Sequence, residues 1–338
     1  MSLQNARRGS NSTDAPSDAR AALQWATAAL TAAGIDSPRL CAELLLSHVL
    51  GCDRLRLMVA QALPLSPPQS DQFRNLLQRR LAHEPVQHLV GVTEFWSLPI
   101  RCDRRAMVPR PETELLVELA LELTRGMSFP LIADIGTGTG CIAIALACEL
   151  PQARIIATDI SADALALAAD NVRMNVEGRR IKEECGGARY PIALSVVAVK
   201  SQITGAPRAP LNHQSSIINI SLRQGDLLAP LAPEGPGAFD LILSNPPYIP
   251  DADMTALQPE VRDYDPQLAL RGGPEGCTII HRLLREALAP LRPGGFLVME
   301  IGIGEAEFVR RNAPAGWKLA RTVRDGAGIE RIVALQKE

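Results

Sequence analysis

The sequence predicts an α/β protein: a mostly parallel sheet covered by helices on both faces, preceded by a small helical domain and a β-hairpin linker. Three observations carry this reading. After Pro130 short apolar runs alternate with segments of helical periodicity; residues 19–84 are helical in pattern throughout; and residues 85–110 break into short apolar runs punctuated by Gly91, Pro99 and Asp103. The 338 residues suffice for one large domain and a smaller one. With 46% hydrophobic and 21% charged residues, a packed core is expected and fibrous or wholly disordered architectures are excluded.

Residues 1–18 are rich in Ser, Asn and Asp and read as a disordered tail. In the helical domain, 19–84, Leu23, Ala26, Thr27 and Leu30 recur at helix spacing before Gly34, Ser37-Pro38 opens a helix through Leu50, and Pro67 opens another that runs to Leu81. The linker, 85–110, carries Trp96, Ile100 and Val108, and a helix begins at Pro111. The large domain, 111–338, then reads as strand LIADIG, helix 140–149, strand RIIATDI, helix 161–175, strand FDLILSN, helix 275–289 and strand GGFLVMEIG, closed by a strand pair, WKLARTVRD and ERIVALQ. Residues 176–217 are too long for a helix-to-strand connection and read as an inserted loop, with IALSVVAV (192–199) as the alternative strand.

Charge and cysteine content bound the function. Lys and Arg total 35 against 37 Asp and Glu, a net charge of −2, so the chain as a whole is not built to neutralise a polyanion and no direct nucleic-acid contact is expected. Seven cysteines without a Cys-x-x-Cys pair argue for reduced, buried thiols rather than a disulfide framework. The polar start and the interruption of 131–150 by Asp134, three glycines and Glu149 predict neither a secretory signal nor a membrane span, and a cytoplasmic monomer is expected.

Two motifs carry chemistry. Asp134-Ile135-Gly136-Thr137-Gly138-Thr139-Gly140 ends an apolar strand and opens a helix, so its glycines let the backbone turn tightly against a ligand while the helix start offers free amide donors. The Gly-x-Gly-x-Gly spacing differs from the Gly-x-Gly-x-x-Gly of dinucleotide sites, which makes hydride chemistry the weaker reading. Asp159, nineteen residues beyond Gly140 at the end of the next strand, sits where a carboxylate can accept both ribose hydroxyls of a nucleoside, and Asp226 can accept from an adenine amino group. The second motif, Asn245-Pro246-Pro247-Tyr248, follows FDLILS directly. Its prolines remove two donors and leave carbonyl acceptors, Asn245 adds a side-chain carbonyl, and Tyr248 offers a flat apolar face. That set suits methylation of a planar NH₂ group, either an amide or an exocyclic amine. The five histidines, 48, 83, 88, 213 and 281, lie outside both motifs, and no metal cluster is evident.

With EPVQHLVGVTEFWSLPI (84–100), VPRPETELLVE (108–118), DIGTGTG, NPPY, EVRDYDPQLALRGGPEG (260–276) and RDGAGIERIVAL (324–335), the chain resembles the HemK/PrmC family of peptide chain release factor N5-glutamine methyltransferases over most of residues 20–338. The resemblance implies a Rossmann-like class I S-adenosylmethionine-dependent methyltransferase domain with a mostly parallel seven-stranded sheet, and a helical domain that docks the release factor. It implies methyl transfer to the glutamine of the Gly-Gly-Gln motif. Gly136 to Gly140 would hold the methionine moiety, Asp159 the ribose, Asp226 and Leu227 the adenine, and Asn245 to Tyr248 the glutamine; the segment Arg110-Pro111-Glu112-Thr113-Glu114 would line the cleft between linker and catalytic domain, with Arg110, Glu112 and Glu114 as its substrate-binding residues. The sequence departs from the family's usual residues at Leu227, at Asp265, where Glu is frequent, and at Glu305, where Gln is. Because NPPY also serves enzymes that methylate adenine N6 in DNA or RNA, that activity is the alternative reading.

Overall fold

A computed structural model describes residues 18–59, 63–184 and 219–338, and divides the chain into two compact units that meet in sequence at Val90 and Gly91. The first unit contains α1 (Ala19–Ala32), α2 (Pro38–Leu50), α3 (Arg54–Val59), α4 (Pro67–Leu81) and α5 (Val86–Val90). Asp18 starts α1, its Oδ1 accepting from the Ala21 amide at 2.9 Å, and Gly51 ends α2 in the left-handed region at φ 62°. Leu30, Leu45, Leu46, Phe73 and Leu77 form its core. The sequence pattern misses α3 and assigns 85–90 to the hairpin linker, whereas Val86 and Leu89 of α5 pack into that helical core.

The second unit opens with a hairpin, β1 (Val92–Phe95) and β2 (Leu98–Arg101), whose turn residues Trp96 and Ser97 both have positive φ, 53° and 57°. A 3-10 turn, Pro111–Thr113, leads into α6 (Glu114–Leu123). There follow β3 (Leu131–Ile135), α7 (Cys141–Glu149), β4 (Arg154–Asp159), α8 (Ala162–Glu184), β5 (Ile220–Gln224), β6 (Phe239–Ser244), β7 (Ile249–Pro250), α9 (Pro259–Arg262), α10 (Gln267–Leu270), β8 (Arg271–Gly273), α11 (Thr278–Glu286), β9 (Leu291–Glu300), α12 (Glu305–Asn312), β10 (Trp317–Arg324) and β11 (Glu330–Lys337). Seven strands form one sheet in the order β10-β11-β9-β6-β3-β4-β5, parallel except where β11 runs antiparallel to both its neighbours. β7 and β8 make a separate parallel pair.

Alternation along the central strands builds two cores, one on each face of the sheet. Ile132, Ile155, Leu241, Leu243 and Val298 face α6 and α7, while Ala133, Ile135, Ile156, Ile242, Leu297 and Met299 face α11 and α12. Helix α7 is buried over Cys141 to Ala147, which is why its sequence is apolar all round rather than amphipathic. Helix α8 runs nine residues past the end that the sequence pattern gives it. The expected loop or strand between 185 and 217, including 192–199, lies outside the described residues, as does the tail at 1–17. The six described cysteines are free thiols. Among the described residues no helix is long and apolar enough to cross a membrane.

Candidate active site

The carboxyl ends of the parallel strands collect the residues that carry both motifs. β3 runs into the glycine loop, β4 ends on Asp159, β6 runs into Asn245 and β9 ends on Glu300. The chain moves from β3 to β4 on one side and later returns to β6 on the other, so the glycine loop and Asn245 face each other at a topological switch point, where such sheets bind ligands. The Ser244 hydroxyl donates to the Ile135 carbonyl at 2.8 Å and ties the two strand ends together, one residue before Gly136 and one before Asn245.

The loop is held from below. Gly136 and Thr137 amides both donate to the Thr158 carbonyl at 2.9 Å, and the Thr137 hydroxyl donates to Asp134 Oδ2 at 2.6 Å. Full burial pushes the Asp134 carboxyl up to about 6, the Thr137 hydroxyl opposing the shift. Gly140 begins α7 at φ 80°, and a Cβ there would lie 3.1 Å from the Ala168 Cβ, so both backbone and packing require glycine. Asp134 and Gly140 therefore support the loop without lining the cavity, whereas Gly136, Thr137, Gly138 and Thr139 do line it.

The cavity has a volume of about 270 Å³. Asp159 lies on its wall, with Oδ2 accepting from the Gly138 amide and Oδ1 from the Ser161 amide, both at 2.9 Å; each oxygen keeps lone-pair capacity for a hydroxyl. Ile142, Ile160, Leu227 and Ile279 add an apolar lining. A glycine loop that lets a ligand approach the backbone closely, a carboxylate at the second strand end and apolar walls fit a sulfonium nucleoside such as S-adenosylmethionine. Asp226 also lines the cavity, but Arg282 grips both its carboxylate oxygens, at 3.1 and 2.8 Å, an exposed pair the sequence reading did not foresee. Leu227 adopts φ 46°, unusual for a branched side chain, and its carbonyl accepts from the Thr158 hydroxyl at 3.1 Å.

Asn245 and Pro247 line the cavity; Pro246 and Tyr248 do not. The Tyr248 ring instead packs into the core beside α11 and α12, and burial pushes its phenol up to about 12, so it stays protonated near neutrality. The Asn245 Nδ2 donates to Thr113 Oγ1 at 3.2 Å, and Thr113 Oγ1 in turn donates to Glu300 Oε2 at 2.7 Å. Burial pushes the Glu300 carboxyl up to about 7. Thr113 enters the sequence reading only as a member of the Arg110–Glu114 segment, without a role of its own, and Glu300 is missed, although it ends a parallel strand, which is the available signal.

Of the Arg110–Glu114 segment that the resemblance puts in the cleft, Thr113 lines the cavity, as do Met107 and Pro109 just before it, whereas Arg110, Glu112 and Glu114 do not. The reasons are local. Arg110 is drawn to Asp265, an oxygen of which it meets at 3.2 Å, and Glu114 Oε1 accepts the Trp96 amide at 2.7 Å, bracing the hairpin turn. Burial pushes the Asp265 carboxyl up to about 6 in spite of that arginine. The Arg104 guanidinium lies 4.6 Å from the centre of the Tyr264 ring, a second clasp between the 104–113 segment and the residues before β8.

Two family models match the chain, one described as the PrmC N-terminal domain over residues 21–91 and the other as the methyltransferase small domain over 112–185. Among curated proteins, the chain is 36% identical to a release factor glutamine methyltransferase of Deinococcus radiodurans over 93% of its own length and 97% of the relative's. It is 37% identical to the one from Geobacter sulfurreducens, covering 93% and 95%, and 35% identical to the one from Rhodopirellula baltica, covering 96% and 98%.

Proposed function

This chain belongs to the release factor glutamine methyltransferase family, and from that membership we propose that it moves a methyl group from S-adenosylmethionine to the side-chain N5 of the glutamine in the Gly-Gly-Gln motif of peptide chain release factors. The observation that carries the chemistry is the position of Asn245, on the wall of the glycine-loop cavity with its amide nitrogen engaged by Thr113. That leaves Asn245 Oδ1 as an acceptor for one hydrogen of the target amide. The main-chain oxygen of Pro246 takes the other in this proposal, and two successive prolines leave no N–H at that corner to oppose it.

S-adenosylmethionine supplies an electrophilic methyl group. The loop from Gly136 to Thr139 would hold its amino-acid end, Asp159 would accept from the ribose, and Leu227 would pack the adenine; Asp226 would reach the adenine amino group only by sharing its carboxylate with Arg282. Asn245 and Pro246 would hold and orient the glutamine nitrogen toward the methyl donor, and this orientation in a water-poor cleft would supply much of the rate. As the nitrogen gains positive charge, the two oxygens stabilise it. No strong base is needed, because the N5 proton becomes acidic on transfer and leaves to water. Tyr248, set into the core behind the prolines, keeps the motif in place. The helical unit docks the release factor, which needs contacts beyond one glutamine, and the enzyme acts as a cytoplasmic monomer.

The test is transfer of label from S-adenosylmethionine to a purified release factor, to a copy with the Gly-Gly-Gln glutamine replaced, and to DNA and ribosomal RNA. Label confined to the intact factor is the expected result. Label on nucleic acid and none on the factor overturns the proposal in favour of an adenine-N6 methyltransferase.

A further inference from the structure

We infer that Thr113 and Glu300 are positioning residues that lock the Asn245 carboxamide with its oxygen toward the acceptor, and so make the site select an amide over a carboxylate. The inference rests on the glutamine-methylation reading above. Glu300 sits at the carboxyl end of β9, beside the end of β6, where Met299 pairs with Ser244. It is 3% exposed and Thr113 is 2% exposed. An ionised carboxylate can only accept hydrogen bonds, and a threonine hydroxyl has one proton. Thr113 gives that proton to Glu300 at 2.7 Å, which leaves its oxygen only lone pairs for any other neighbour. The neighbour is Asn245 Nδ2, at 3.2 Å. Every partner on that side is an acceptor, so the NH₂ end of Asn245 must face it and Oδ1 must face away. Arg331, held by Asp325 at 2.9 Å, favours the ionised form of Glu300, while Glu112 opposes it.

The two ends of a carboxamide are nearly identical in shape, so packing alone does not distinguish them. A flipped Asn245 would point its NH₂ at the NH₂ of the target, donor against donor, yet would suit a carboxylate well. The relay through Thr113 therefore sets the rate with glutamine and the rejection of glutamate together.

The experiment compares the full-length wild type with Thr113→Val, Thr113→Ser and Glu300→Gln at pH 8.5, where Glu300 is ionised. The substrates are a release factor with its Gly-Gly-Gln motif and a copy carrying Gly-Gly-Glu, and the readouts are kcat, KM and equilibrium binding of both factors. Thr113→Val removes the hydroxyl, and Glu300→Gln gives Thr113 a donor as well as an acceptor. Each is expected to lower kcat about 10- to 100-fold, and to shrink the Gln-over-Glu binding ratio about tenfold, the scale of one mispaired hydrogen bond. Thr113→Ser keeps the hydroxyl and should stay within about threefold of wild type on both. An unchanged binding ratio in Thr113→Val overturns the inference even if kcat falls, because a purely structural role lowers turnover without altering which end of Asn245 is presented. Failure of Thr113→Ser to restore the ratio also overturns it. Glu300→Gln, equal in shape, carries the comparison if Thr113→Val does not fold. A wild type that methylates no factor refutes the functional reading instead, and the binding ratio still tests the relay without turnover.

Discussion

Asn245 and Asp159 divide the proposed work between acceptor and cofactor, and the division can be read in separate measurements. Replacing Asn245 by Ala removes the acceptor oxygen and should lower kcat about 10²- to 10³-fold, the usual effect of losing one preorganised partner of a developing charge. Cofactor affinity by calorimetry should change little, since the glycine loop and Asp159 hold the cofactor in this proposal; near-normal turnover would remove Asn245 from the mechanism. Asp159→Ala should do the reverse. It deletes a charged acceptor and the anchor of the Gly138 amide, so the Kd for S-adenosylmethionine should rise about 10- to 100-fold, with kcat at saturation far less affected. Both residues are legible in the sequence because each ends a recognisable strand. The link from Asn245 through Thr113 to Glu300 is not, since 132 residues separate Thr113 from Asn245 and 187 separate it from Glu300, and only the order of strands in the sheet brings them together.

At the scale of elements, the segment from β7 to β8 and the turn before α11 brace the Asn245–Tyr248 motif from outside. Gly276 has φ 80°, and a Cβ there would lie 2.5 Å from the Tyr248 carbonyl oxygen, so even Ala cannot be placed without moving the motif's backbone. Gly302 is tight against the same tyrosine, its Cβ position 3.1 Å from the Tyr248 ring. Gly276→Ala should therefore cut kcat roughly tenfold through displacement of the motif, as small misplacements do, and lower Tm by a few degrees. Wild-type kinetics in a folded Gly276→Ala protein would show that the brace is dispensable. Nothing in the local sequence announces β7 or β8, which have two and three residues and no periodicity to detect. The large βα alternation, by contrast, is legible because each strand is an apolar run ended by a chemical motif. Helix α8 outruns its expected end because Arg179, Arg180, Lys182, Glu183 and Glu184 are good helix formers, enough to carry the helix through Gly178 at a cost of about 1 kcal/mol. The helix of 86–90 was hidden by its brevity and by the strand-like pattern that follows.

For the whole molecule, the carboxyl groups gathered at the sheet's carboxyl edge set an unusual dependence of stability on pH. Burial raises Asp134 and Asp265 to about 6 and Glu300 to about 7, and it raises Glu305 as well. In the unfolded chain these groups titrate near 4, so between pH 4.5 and 7 the folded protein binds protons that the unfolded chain has released. Stability must then fall as pH rises through that window. Burial lowers His48, which acts in the opposite sense over part of the range, but it is one group against four. The hydrogen bond from Arg223 lowers Glu234, and that from Arg331 lowers Asp325; stability from these pairs is lost only as pH falls below about 4. The ligand-free enzyme should consequently melt at a higher temperature at pH 5.5 than at pH 7.5 at constant ionic strength. Glu300→Gln, which stays neutral at both pH values, should narrow that difference, because it removes the group whose titration reaches furthest toward neutrality. A Tm that is flat or rising from pH 5.5 to 7.5 in the wild type would mean that these carboxylates stay ionised in the folded state, stabilised by water or by neighbours such as Arg110 and Arg331 beyond what their burial costs.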